Sequence, residues 1–89
     1  MNDQVRDYVI ASLQEMNYST DGVDADTPLG PAGVDLESLS IAELGVRIED
    51  EYGVRFADDE VEKVASMTIG EFVALVVERH QVAQTAGQA

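Results

Sequence analysis

Apolar residues recur at Val5, Val9, Leu13 and Met16, a spacing near 3.6 that predicts one face of a helix over residues 3–17, with Tyr8 on its flank and Asn2 or Asp3 as cap. The periodicity then stops. Residues 17–34 are rich in Ser, Thr, Asp and Gly and hold both prolines, Pro28 and Pro31, which predicts a long loop. Leu29 is the apolar residue best placed to pin that loop to a core. A second helix is expected from Ser38 to Tyr52, ending at Gly53 in a left-handed cap. A short third helix is expected over residues 57–64, with Asp58, Asp59 and Glu60 in its first turn. Thr68-Ile69-Gly70-Glu71 has the form of a capping box. The last helix follows it to Arg79 or His80, with Ile69, Phe72, Val73 and Val76 on one face. Residues 81–89 read as a disordered tail behind a domain of residues 1–80. No alternating apolar run predicts a strand. The fold class is therefore all-α, a four-helix bundle with three longer helices, a short third one and a long first loop.

The second helix carries apolar residues on two sides. Ile41, Leu44, Ile48 and Tyr52 form the sector expected to face the core. Leu39, Ala42 and Val46 form another, rimmed by Glu43, Glu49 and Asp50. Two readings are open at this point. Leu39 packs under the long loop while Ala42 and Val46 are isolated surface residues, or the three make a docking stripe for a partner with a basic rim. Gly45 lies between the two sectors, where close helix packing and partner contact are equally good reasons for a glycine.

Composition narrows the chemistry. The 89 residues contain 5 Lys and Arg against 18 Asp and Glu, a net charge of −13, with 45% hydrophobic residues and no Cys. A globule of this size buries about 60% of its unfolded surface, which leaves little room for a deep cavity. Nucleic-acid backbones and anionic membranes would repel it. Without cysteine there is no disulfide, thiol catalysis or zinc–thiolate site. The N-terminal residues carry no signal-peptide pattern and no stretch is long and apolar enough to span a membrane, so a cytoplasmic protein is expected. Ten of the 18 acids lie in residues 35–62, against Arg47 and Arg55, a local field that attracts basic partners.

Specific sites mostly fail on spacing. A calcium loop starting at Asp24 would place Pro28 and Leu29 where an oxygen ligand and the turn glycine belong, so no metal site is expected. The single histidine, His80, reads as a residue at a helix C-terminus. No glycine-rich phosphate loop occurs. Ser38 remains, at the junction of the loop and the second helix. It reads either as a capping or first-turn residue, or as a modification site whose neighbouring backbone N–H groups accommodate a phosphate.

The run Gly33-Val34-Asp35-Leu36-Glu37-Ser38-Leu39-Ser40-Ile41-Ala42-Glu43-Leu44, followed by Arg47-Ile48-Glu49-Asp50-Glu51-Tyr52-Gly53-Val54, resembles the acyl carrier protein family. Asp26-Thr27-Pro28-Leu29 and Met67-Thr68-Ile69-Gly70-Glu71-Phe72 extend the likeness over almost the whole chain. The resemblance implies that Ser38 is esterified by 4'-phosphopantetheine from coenzyme A, whose thiol holds acyl groups as thioesters. It implies that the chain is a carrier and not an enzyme, and that Glu37, Leu39, Ala42, Glu43, Val46, Glu49 and Asp50 meet its partners. One departure is visible: the family's aspartate before the serine is Glu37 here, with Asp35 two residues earlier. Either glutamate fills that position, or Leu36-Glu37 is inserted.

Implied partners are a phosphopantetheinyl transferase, an acyltransferase or acyl-activating ligase, a ketosynthase and other basic-surfaced enzymes, met by a discrete (type II) monomer. One lysine to four arginines, with much Ala, Val, Gly and Asp, fits a GC-rich genome and so points mildly to polyketide rather than fatty-acid or aminoacyl cargo. Two rival functions are an acidic helical adaptor for a basic protein, with no prosthetic group, and a small acid–base enzyme with a polar cleft.

Overall fold

The computed structural model describes residues 2–57 and 59–87. Its elements are α1 (Asn2–Glu15), α2 (Ser38–Tyr52), α3 (Glu60–Ala65) and α4 (Ile69–Gly87), an all-helical chain as expected. Asp58, and Gln88 and Ala89 of the expected tail, lie outside the described residues.

Each helix end has a local cause. α1 stops two residues earlier than the periodicity predicts because Asn17 takes a left-handed conformation (φ 70°). The Asn17 N–H then bonds the Gln14 carbonyl and the Tyr18 N–H bonds that of Leu13, each at 3.0 Å, satisfying two otherwise orphaned carbonyls. α2 ends at Gly53 (φ 71°), whose N–H returns to the Glu49 carbonyl at 2.8 Å. The expected capping box opens α4: Glu71 Oε1 accepts from the Thr68 N–H at 2.9 Å, and Thr68 Oγ1 accepts from the Glu71 N–H at 3.2 Å.

Two boundaries differ from expectation. α3 starts at Glu60, where the carboxylate reaches back to the Ala57 N–H at 2.9 Å. α4 runs on to Gly87, past the expected stop at Arg79 or His80, because no glycine or proline interrupts residues 71–86. His80 is consequently inside a helix rather than at its end. Its Nδ1–H donates to the Tyr52 carbonyl at 2.9 Å, so it joins α4 to the end of α2.

The core is one cluster fed by every element. Val5, Val9 and Leu13 come from α1, Ile41, Leu44 and Ile48 from α2, Val64 from α3, and Ile69, Phe72, Val73 and Val76 from α4. Leu29 is fully buried and pins the long loop as expected. Its N–H donates to the Met67 carbonyl at 2.9 Å, while the Ile69 and Gly70 N–H groups donate to Thr27 and Ala25 at 2.9 and 2.8 Å. Next to it Gly30 passes so close to Ala65 that any Cβ there would collide with the Ala65 carbonyl.

The α2–α3 connection is tied to α4 by Arg79. Its guanidinium pairs with the Glu60 carboxylate and donates to the Arg55 carbonyl at 3.0 Å. It also lies 5.0 Å from the centre of the Phe56 ring, which stacks on Phe72. The Arg79 hydrogen bonds, and then the Ala57 N–H, hold the Glu60 carboxyl down from 4.5 to about 2. A carboxyl lowered by folding stabilises above its unfolded value and loses that contribution as the pH falls. In thermal melts, the stability difference between wild type and Glu60→Gln is therefore expected to be full near neutral pH. It should close as the pH drops from 4.5 toward about 2.

Candidate functional site at the start of α2

The loop delivers the chain to α2 through a short change of environment. Leu36 is buried, 6% exposed, and its N–H bonds the Leu29 carbonyl at 3.0 Å. Two residues later Ser38 is exposed. Between them the backbone is set by Asp35, which adopts a left-handed conformation (φ 64°) and donates its N–H to the Gly30 carbonyl at 2.8 Å. Aspartate tolerates that conformation better than most residues.

Ser38 is the first residue of α2 and Glu37 is its cap, with extended dihedrals (φ −77°, ψ 159°). The Glu37 side chain makes no capping hydrogen bond, being one methylene longer than the aspartate that suits this position. The first N–H within the helix to find an acceptor is that of Ile41, bonded to the Glu37 carbonyl at 2.9 Å. The N–H groups of Ser38, Leu39 and Ser40 are left pointing out of the helix start beside the serine hydroxyl, an arrangement that favours a phosphate oxygen. The residues fit a phosphodiester on Ser38. Ser38 has no base within hydrogen-bonding reach among the described residues.

On the outer side of α2 the second apolar sector is open. Leu39 is 81% exposed and Val46 56% exposed, and Ala42 is exposed between them. Leu39 does not pack under the loop; Leu36 takes that place. A shallow depression is lined by Leu39, Ser40, Ala42, Glu43 and Val46. Glu43 and Asp50 are exposed along one side of the stripe. Glu49, on the other side, is half-buried and accepts from Arg55 Nε at 2.8 Å. Glu37 stands apart, exposed at the helix start. The sector expected to face the core is buried, with Tyr52 half-buried at its end.

Sequence reasoning misses a cavity of about 270 Å³ between α2 and α3, lined by Ile41, Gly45, Glu49, Phe56, Val61 and Phe72 among others. Gly45 opens onto it. A Cβ there would rest 3.7 Å from Phe56 Cδ2, an ordinary contact, so close helix packing does not require the glycine. The only sequence signal for the cavity is a glycine inside a helix with no steric need for it. Tyr18 Oη and Ser40 Oγ, 2.6 Å apart, hold the α1–α2 loop against α2 from the other side. Arg47, raised above its ordinary value by a hydrogen bond to Glu15, ties α2 to α1.

Compared with known protein families, residues 5–76 match the family described as phosphopantetheine attachment site. No solved structure gives a significant match. No helix among the described residues is long and apolar enough to cross a membrane.

With the start of α2 uncapped, Glu37→Asp should supply the missing cap. We expect it to raise stability by about 0.5–1 kcal/mol in urea denaturation. No gain would mean that another acceptor already serves these N–H groups.

Proposed function

The chain belongs to the phosphopantetheine attachment family, and from that premise we propose that Ser38 is the attachment residue of an acyl carrier protein. When bound, the 4'-phosphopantetheine group supplies a terminal thiol on a flexible arm, on which acyl groups travel as thioesters. The observation that carries this reading is the exposed hydroxyl of Ser38 beside three unpaired N–H groups, inside the matched residues.

The chain's own residues divide the work. Ser38 offers its oxygen to the β-phosphate of coenzyme A, with the phosphoanhydride bond to the nucleotide breaking as the new ester forms. Its proton must leave to a base on a separate transferase, since none stands beside it. The carrier therefore acts as the substrate of other enzymes. Leu39, Ala42 and Val46 offer an apolar contact, while Glu37, Glu43 and Asp50 attract basic surfaces beside Glu49, which is paired with Arg55. A small contact with fast electrostatic association suits a protein whose partners take turns. Among those partners we place a phosphopantetheinyl transferase, an acyltransferase or acyl-activating ligase, and a ketosynthase, with polyketide intermediates as cargo. The packed unit supports a domain of residues 1–80: among the residues whose burial is described, Val77 is the last in the core, and Val82 beyond it is exposed although α4 continues.

Incubation with coenzyme A and a broad-range phosphopantetheinyl transferase should add the mass of one phosphopantetheine to the intact chain, and none to Ser38→Ala. No addition, or addition that survives Ser38→Ala, would remove Ser38 from the role. Partner function that persists in Ser38→Ala would favour the adaptor instead.

A further inference from the structure

The carboxylates along the two sides of the α2 stripe are not electrostatically equivalent. Glu43 and Asp50 enter no ion pair among the described residues, whereas Glu49 is held by Arg55. Arg55 sits on an anchored stretch of backbone. Its side chain is 86% exposed, but its carbonyl accepts from Arg79 at 3.0 Å, and Arg79 is itself paired with Glu60. The neighbouring Phe56 is fixed between Arg79 and Phe72. The backbone beneath the Arg55–Glu49 pair is thus anchored by the α3–α4 side of the fold, while the Arg55 side chain itself stays exposed. The cation on α2 itself, Arg47, is engaged with Glu15 on the α1 side.

We propose that Arg55 is a specificity-determining residue: it masks Glu49 on the α3-facing side of the docking stripe, so that a basic partner is attracted mainly by Glu43 and Asp50 and only weakly on the α3-facing side. This rests on the reading of α2 as the docking face of a carrier. The fitting partner is an enzyme surface with an apolar contact for Leu39 and Val46 and basic residues on one side of it only. A partner cation placed on the α3-facing side meets Arg55 instead of a free Glu49, so it adds little to the association.

The test is the rate of Ser38 loading by a broad-range phosphopantetheinyl transferase at low ionic strength. Arg55→Gln is expected to raise kcat/KM by about two- to fivefold, the range set by an exposed ion pair. Lys63→Gln, an equal change in net charge on α3, should raise it less, and Arg55→Lys should raise it less than Arg55→Gln. Glu49→Gln should cost more in the Arg55→Gln background than in wild type. The Arg55→Gln gain should fade as salt is added. Thermal melts of each variant separate these effects from loss of fold. The proposal is overturned if Arg55→Gln leaves loading unchanged or slows it with the fold intact, or if Glu49→Gln costs the same in both backgrounds. Failure of the wild-type chain to load at all overturns the carrier reading itself, and this proposal with it.

Discussion

The backbone hydrogen bonds that seat the α1–α2 loop on the α3–α4 junction set the geometry of everything at the start of α2. Residues 16–37 form no helix or strand, and a loop of that length has a large conformational entropy to lose. It is ordered because Leu29 is buried with its N–H on Met67, while Thr27 and Ala25 accept from the first residues of α4. Those first N–H groups of α4 would otherwise lack acceptors, so the loop caps the helix that holds it. From Leu29 the hydrogen bond to Leu36 carries the restraint to within two residues of Ser38. The Ser38 hydroxyl is exposed, yet it stands on a fixed platform.

Charge is distributed to match. Among the described residues, four of the five basic side chains are engaged in internal ion pairs: Arg6 with Asp3, Arg47 with Glu15, Arg55 with Glu49 and Arg79 with Glu60. The Arg6–Asp3 pair lies within α1, while Arg47, Arg55 and Arg79 bridge helices and loops where a net charge of −13 would push them apart. What remains unpaired on α2 is acid beside an exposed apolar stripe. The acidic excess thus becomes directional on one helix.

Features set by near neighbours in the chain are legible in the sequence. The span of α2, the Gly53 cap, the Thr68–Glu71 capping box and the burial of Leu29 each follow from residue type and short spacing. So does the division of α2 into two apolar sectors, although only the 81% exposure of Leu39 excludes its packing under the loop. What is not legible depends on residues far apart or on backbone conformation. Asn17 ends α1 through its own left-handed turn, and nothing in the apolar spacing distinguishes it from a last helical residue. The bridge from Arg79 to Glu60 and the Arg55 carbonyl joins α4 to the α2–α3 connection, a pairing that sequence separation hides. Polarity after His80 suggests fraying and misplaces that residue at a helix end, whereas the lack of a helix breaker is the better guide. The cavity beside Gly45 needs α3 in place to exist at all.

A rigid loop that delivers an open, uncapped helix start is the central feature of the fold, and amide hydrogen exchange reads both halves of it at once, residue by residue. The N–H groups of Leu29, Leu36, Ile69 and Gly70 should be protected to a degree comparable with the interior of α1, while those of Ser38, Leu39 and Ser40 exchange almost freely. Exchange of Leu29 and Ile69 as fast as that of Ser38, or protection of Ser38 through Ser40 like a helix interior, would contradict it.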